Sequence, residues 1–120
     1  MMLVDTSVWV HHFRYGSSEL VALLEVGVVA SHPFVIGELA CGTMKNRSEV
    51  LALLARLPGV EVATHAEVLS MIERQELMGR GIGWVDMHLL ASSMLSRVVL
   101  LTKDRRLREV ATELGLAADR

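Results

Sequence analysis

The sequence predicts an α/β fold with a central parallel β-sheet and helices on both of its faces. Two observations carry this. Short apolar runs rich in Val, Leu and Ala alternate along the chain with segments of helical periodicity, and strands separated by helices pair in parallel. The chain is 120 residues long, with 52% hydrophobic and 22% charged residues, which fits one domain over residues 1–120 with a real core and excludes a disordered chain.

The elements follow in order. Met2–Val4 reads as a strand that ends at Asp5, and Thr6 or Ser7 caps a short helix through about Phe13. Gly16-Ser17-Ser18 interrupts the chain, and Ser18 caps a helix over Glu19–Glu25. Gly27–Ala30 is a second strand. Pro33 suits the first turn of a helix running to about Met44. Ser48 starts another, with Val50, Leu53, Leu54 and Leu57 on one face, and Pro58-Gly59 ends it. Val60–Ala63 is expected as a third short strand. Thr64 with Glu67 matches a capping box for a helix to about Met78. Gly79, Gly81 and Gly83 form a flexible loop. Trp84–Ser96 is helical and apolar nearly all round, so it is expected to be buried. Val98–Thr102 is the clearest strand. Leu107, Val110, Ala111 and Leu114 stripe the last helix, which Gly115 closes.

Composition narrows the function. Mean hydropathy is +0.41, yet the longest unbroken apolar run is Val50–Ala55, far short of the ~20 residues that cross a bilayer. Met1–Val4 has no basic residue and meets Asp5 at once, unlike a signal peptide. The single cysteine, Cys41, suits a reducing cytoplasm and is expected as a small buried hydrophobe. Net charge is −2, so any nucleic acid is met through a local patch rather than a basic coat. Aromatic residues make up 4%, which argues against a base-stacking sheet surface.

Three carboxylates stand alone. Asp5 is the one charged side chain in Met1–Phe13, Glu38 in Val26–Met44, and Asp86 in Gly81–Ser96. None has a cation within four residues. An isolated carboxylate in an apolar segment risks costly burial unless something neutralises it. Asp5 and Asp104 both follow predicted strands, Asp86 opens the buried helix, and Glu38 lies in the helix after the second strand. These positions gather at the carboxyl edge of a parallel sheet, where such folds place their sites. Four converging carboxylates repel one another, and a divalent cation removes the conflict; hard oxygen ligands select Mg²⁺ or Mn²⁺. The plainer alternatives are an N-cap for Asp5 and Asp104, a first-turn acid for Asp86, and a solvated side chain for Glu38.

The segments MLVDTSVWV (Met2–Val10), VIGELACG (Val35–Gly42), GIGWVDMHLLAS (Gly81–Ser92) and LLTKDRRL (Leu100–Leu107) resemble, in order and spacing, the PIN-domain nucleases, and within them the VapC-type toxins of bacterial toxin–antitoxin pairs. The resemblance spans nearly the whole chain. It implies a PIN-like three-layer α/β/α fold, with Asp5, Glu38, Asp86 and Asp104 as the acidic tetrad. It further implies Mg²⁺ or Mn²⁺, cleavage of single-stranded RNA (tRNA among the targets of such toxins), a homodimer and a VapB-type antitoxin. On this view Asp5 and Asp86 bind the metal, with Asp104 directly or through water. A metal-activated water, oriented or deprotonated by Glu38, leaves 5′-phosphate and 3′-hydroxyl ends.

The hydroxyls of Thr6, Ser7 and Thr102 lie beside these carboxylates in sequence, where they either orient them or cap helices. Lys103, Arg105, Arg106 and Arg108 form a basic run beside Asp104 that can hold RNA phosphates, with Arg14 and Arg80 adding to it; the alternative is a solvated helix turn. No two of the five histidines have metal-ligand spacing, so structural or surface roles are expected for them. Trp9 and Trp84 are expected in the core. Val50–Leu57 and Leu20–Leu24 are either core or a groove for an antitoxin helix. A Mg²⁺-binding receiver domain is the rival enzyme-like reading. It needs an acidic pair after the first strand and an Asp after the third; here Thr6-Ser7 follow Asp5, and no Asp lies between 5 and 86. A catalytically inert interaction module is the other rival.

Overall fold

The computed structural model describes residues 1–118. Among them, three strands and seven helices run in the order β1 (Met2–Val4), α1 (Thr6–Tyr15), α2 (Ser18–Glu25), β2 (Val29–Ala30), α3 (Pro33–Ala40), α4 (Arg47–Arg56), α5 (His65–Arg74), α6 (Trp84–Ser96), β3 (Val99–Leu101) and α7 (Arg105–Glu113). The sheet is parallel throughout, with order β2-β1-β3. Leu3 pairs with Ala30 on one side and with Leu100 on the other. The chain therefore leaves β1 towards one neighbour and returns on the far side of it, which puts helices on both faces and makes the end of β1 the switch point of the sheet.

The strands enter the core at their carboxyl ends: Met2 and Val99, the first residues of β1 and β3, are half-buried, and the residues after them are buried. Leu3, Val4, Val29 and Leu100 are all inaccessible or nearly so. Against them packs α6, in which every residue from Met87 to Ser93 is buried, as its apolar circumference predicts. Leu107, Val110 and Ala111 press the stripe of α7 onto the same core. The helix then closes at Gly115 (φ 71°), where the Leu116 N–H reaches Ala111 O at 2.7 Å and the Gly115 N–H reaches Thr112 O at 3.1 Å. Only a residue at ease with positive φ allows that pair of bonds.

Several expectations are corrected. Val60–Ala63 is not a strand. The bridge to β2 falls instead at Gly59, opposite Ser31, and the Glu61 and Ala63 N–H groups donate to the Ser96 and Ser92 hydroxyls of α6. Side-chain acceptors on a buried helix have replaced a strand partner. α3 stops at Ala40 rather than Met44, and α5 at Arg74 rather than Met78. Ser17, not Ser18, caps α2, and the Thr64–Glu67 capping box at α5 forms as expected. Cys41 is exposed, because it sits at the C-cap of α3 beyond the buried face. Trp9 is in the core, but Trp84, at the first position of α6, is 40% exposed. Leu20, Leu23 and Leu54 belong to the core; Val21 and Leu53 remain outside.

One joint has no counterpart in the sequence pattern. The Leu100 N–H donates to Leu116 O and the Ala118 N–H to Leu100 O, so the segment after α7 lies along the outer edge of β3. No helix among the described residues is long and apolar enough to cross a membrane.

Candidate active site

Asp5 is where β1 becomes α1. Its N–H still donates to Leu101 O at 2.9 Å, which continues the sheet, and its backbone holds the N-cap position of the helix. Its side chain does no capping. Instead Oδ2 accepts the hydroxyls of Ser7 and Thr102, each at 2.7 Å, and the residue is only 6% exposed. The two hydroxyls are fixed in turn: Ser7 Oγ accepts the Lys103 N–H and Thr102 Oγ1 accepts the Asp104 N–H, both at 3.0 Å. The ends of β1 and β3 are thus tied into one network with the Asp5 carboxylate at its centre.

The other three acids surround this point. Glu38 projects from α3, exposed, and its Oε1 accepts the Thr6 hydroxyl at 2.6 Å. Asp86, half-buried in the first turn of α6, accepts the Gly83 N–H on Oδ2 at 3.3 Å. Asp104 caps α7, its Oδ1 accepting the Leu107 N–H at 3.0 Å, so the capping alternative is real for this residue. In each of the four carboxylates one oxygen is pinned and the other makes no hydrogen bond among the described residues. Nor does any of them form an ion pair there: the two salt bridges are Arg80–Glu113 and Arg105–Glu109.

The electrostatics agree with convergence. Asp86 is held above the ordinary carboxylate range, first by burial and then by the charges of Asp5, Asp104 and Glu38; the Gly83 hydrogen bond opposes this. The four acids therefore share one field. They are not drawn into a shell: among the described residues no three His, Cys, Asp or Glu side chains enclose a metal position as they stand. Mutual repulsion keeps uncompensated carboxylates apart. The donor set nonetheless suits a hard divalent cation, since each acid keeps one free oxygen.

A carboxyl whose folded pKa is raised binds its proton more tightly folded than unfolded, so its ionisation costs stability as pH rises through that window. Asp86→Asn keeps an acceptor for the Gly83 N–H and removes the charge. It is expected to raise the thermal midpoint of the metal-free protein at pH 7, with the gain vanishing below the ordinary carboxylate pKa. A lower midpoint at pH 7 in EDTA would contradict this origin of the strain.

The basic run beside Asp104 is broken up. The Arg108 guanidinium donates to Thr102 O at 2.8 Å, and Arg80 pairs with Glu113 at 2.7 Å. Arg106 lies across Gly81, where a Cβ would come within 2.6 Å of its Nη1. Lys103 and Arg105 are exposed, Arg105 at 3.6 Å from Glu109. His32 and His88 are buried in a ring cluster with Phe34 and Trp84, beside the site rather than in it. A groove that the sequence did not reveal opens beside Glu38, between α1 and the α3–α4 turn.

A parallel sheet with an acidic cluster at the end of its central strand defines a class. The chain belongs to the PIN-domain family, whose model matches residues 2–113. It is similar to ribonuclease VapC32 of Mycobacterium tuberculosis, in two strains, at 47% identity over 118 residues, covering 98% of this chain and 95% of the relative. Its fold is similar to a chain of VapBC-1 from nontypeable Haemophilus influenzae (TM-score 0.70, 14% identity, 93% of this chain and 92% of that one). It is also similar to a chain of VapBC2 from Rickettsia felis, solved with a DNA fragment from its promoter (TM-score 0.63, 19% identity, 86% of each chain). At such identities the likeness is one of fold.

Proposed function

We propose that this protein is a metal-dependent endoribonuclease, the toxin of a VapBC-type pair, which hydrolyses single-stranded RNA, tRNA among its possible classes of target. The observation that carries the reading is the set of four carboxylates around the end of β1 that, among the described residues, form no ion pair and each keep one oxygen free of hydrogen bonds. Membership of the PIN family and the 47% identity to a relative named a ribonuclease support it.

In this reading Asp5 and Asp86 would hold Mg²⁺ or Mn²⁺, and Asp104 would do so directly or through water. The cation, when bound, makes water acidic enough to attack at neutral pH and offsets charge on the phosphate. The rest falls to the chain. Ser7 and Thr102 fix the rotamer of Asp5 by holding Oδ2, which leaves Oδ1 for the ligand role. Thr6 pins Glu38 Oε1, and the free Oε2 is left to orient or deprotonate the attacking water. Lys103 and Arg105, both exposed at the start of α7, hold phosphates of the substrate. The partners in this reading are a second copy of the chain and a VapB-type antitoxin, and the setting is the cytoplasm.

The test is purified, antitoxin-free protein on total RNA. Cleavage is expected with Mg²⁺ or Mn²⁺ and abolished by EDTA, with 5′-phosphate and 3′-hydroxyl ends at the new termini. Cyclic phosphate ends would mean that the ribose 2′-hydroxyl attacks, and the metal–water mechanism would fall. No cleavage by folded, metal-supplied protein would favour an inert interaction module.

A further inference from the structure

The groove beside Glu38 has a volume of about 680 Å³, within the ~300–1,000 Å³ of ligand sites. One wall is α1, with Val10, Phe13 and Arg14; the other is α3 and the turn to α4, with Glu38, Met44 and Lys45. Three features of this partly apolar groove suit a nucleic-acid strand. Arg14 and Lys45 face it from opposite walls, and neither pairs with a carboxylate among the described residues. The Phe13 ring is 36% exposed yet braced by the buried Trp9 ring at 6.0 Å and the His12 ring at 5.8 Å, so it offers a stiff apolar face. The groove also runs into the acidic site itself, because Glu38 belongs to both.

Cations on both walls of a groove, neither paired with a carboxylate among the described residues, a part-exposed ring beside one of them and a carboxylate of the acidic site in the lining match the chemistry of a single strand: phosphates for the cations and a base for the ring. The chain carries net charge −2, so these cations stand out from an acidic background instead of belonging to a general basic coat. We propose that the groove between α1 and the α3–α4 turn is the subsite for the RNA strand flanking the scissile bond, with Arg14 and Lys45 on phosphates and Phe13 under a base. This rests on the ribonuclease reading and specifies which face of the site the strand follows. An acidic peptide shares the charge but has no use for a path that runs into the acidic site.

The test is anisotropy of an unstructured, fluorescein-labelled RNA decamer on the full chain, in EDTA so that nothing is cleaved. Arg14→Ala/Lys45→Ala is expected to weaken binding at least ~10-fold at low salt and to reduce the salt slope by ~1.4, at ~0.7 for each phosphate no longer neutralised. Phe13→Ala is expected to weaken it ~10-fold with the slope unchanged, and Phe13→Tyr to restore it. Arg97→Ala, on the turn before β3 at the opposite edge of the sheet, is expected to leave both quantities alone. Groove variants within twofold of the parent, at the same slope, overturn the proposal. So does a loss of binding to an acidic peptide with RNA binding intact. Failure of the parent protein to cleave RNA with Mg²⁺ or Mn²⁺ is a separate result and defeats the ribonuclease reading; cleavage by the parent with unaltered groove variants defeats the groove alone.

Discussion

Asp5→Asn is expected to lower kcat/KM for RNA cleavage by at least ~10³-fold and to leave a folded protein. The loss follows from position. Asp5 sits at the end of the central strand, only 6% exposed, with one oxygen held by two hydroxyls and the other free. An amide there removes a full negative charge from the proposed ligand set, and ~4 kcal/mol of lost transition-state stabilisation corresponds to ~10³ in rate. Folding is spared because the amide oxygen still accepts from Ser7 and Thr102, so the cost stays within ~1 kcal/mol. RNA cleavage under multiple turnover with Mg²⁺, beside a urea titration, separates the two effects. A variant with more than a tenth of the parent activity would remove Asp5 from the mechanism.

His32→Ala is expected to cost about 3 kcal/mol of stability and to remove an acid sensitivity. His32 is fully buried, and its Nδ1 accepts the Phe34 N–H at 2.9 Å, which caps α3. With Nδ1 accepting, the proton is on Nε2, which donates to Ser92 Oγ at 3.2 Å. A cap and a buried hydrogen bond are worth about 1 kcal/mol each, and the vacated ring adds a cavity. Burial, then the nearby His88, lowers the His32 pKa from 6.5 to about 4. Protonation would also set a second hydrogen against the Phe34 N–H. Because the unfolded chain takes up the proton first, stability rises with pH across this window and is lost as pH falls from 6.5 towards 4, by up to ~3 kcal/mol. Urea midpoints at pH 7 and pH 4.5 check both points: the parent should drop and the variant drop less. A cost below ~1 kcal/mol at pH 7, or equal slopes, would contradict the assignment. The consequence reaches the site, since the capped helix carries Glu38.

Much of this architecture was legible in the residues. Met2–Val4 and Val99–Leu101 were readable because runs of buried Val and Leu have no other home, and α6 because its middle, Met87–Ser93, leaves no solvent face, although Trp84, Met94 and Leu95 at its ends are exposed. The solitary acids 5, 38 and 86 were readable because charge is rare in such segments. What escaped depends on distant partners. Val60–Ala63 has strand composition, but the serines that take its N–H groups lie about thirty residues on, in α6. Cys41 is exposed because α3 ends at Ala40, with Gly42 just beyond the cap, whereas the apolar pattern continues to Met44 and hides that stop. The dispersal of the basic run is partly local, with Arg108 turned back six residues to Thr102, and partly remote, with Arg80 drawn to Glu113 of α7. The groove of Arg14 and Lys45 unites residues about thirty apart, neither of which marks a site alone.

The two single-residue bridges that flank the sheet have a bearing on assembly. Gly59 lies against Ser31 on the β2 side and Ala117 against Leu100 on the β3 side. A three-stranded sheet with open flanks invites strand-by-strand accretion from other chains, the route to fibrils and to peptide capture by β-addition. Here both flanks are already occupied by the chain's own backbone at those points. A fusion or truncation that pulls residues 116–118 away from β3 would free the Leu100 N–H and carbonyl and unmask that margin to strand addition.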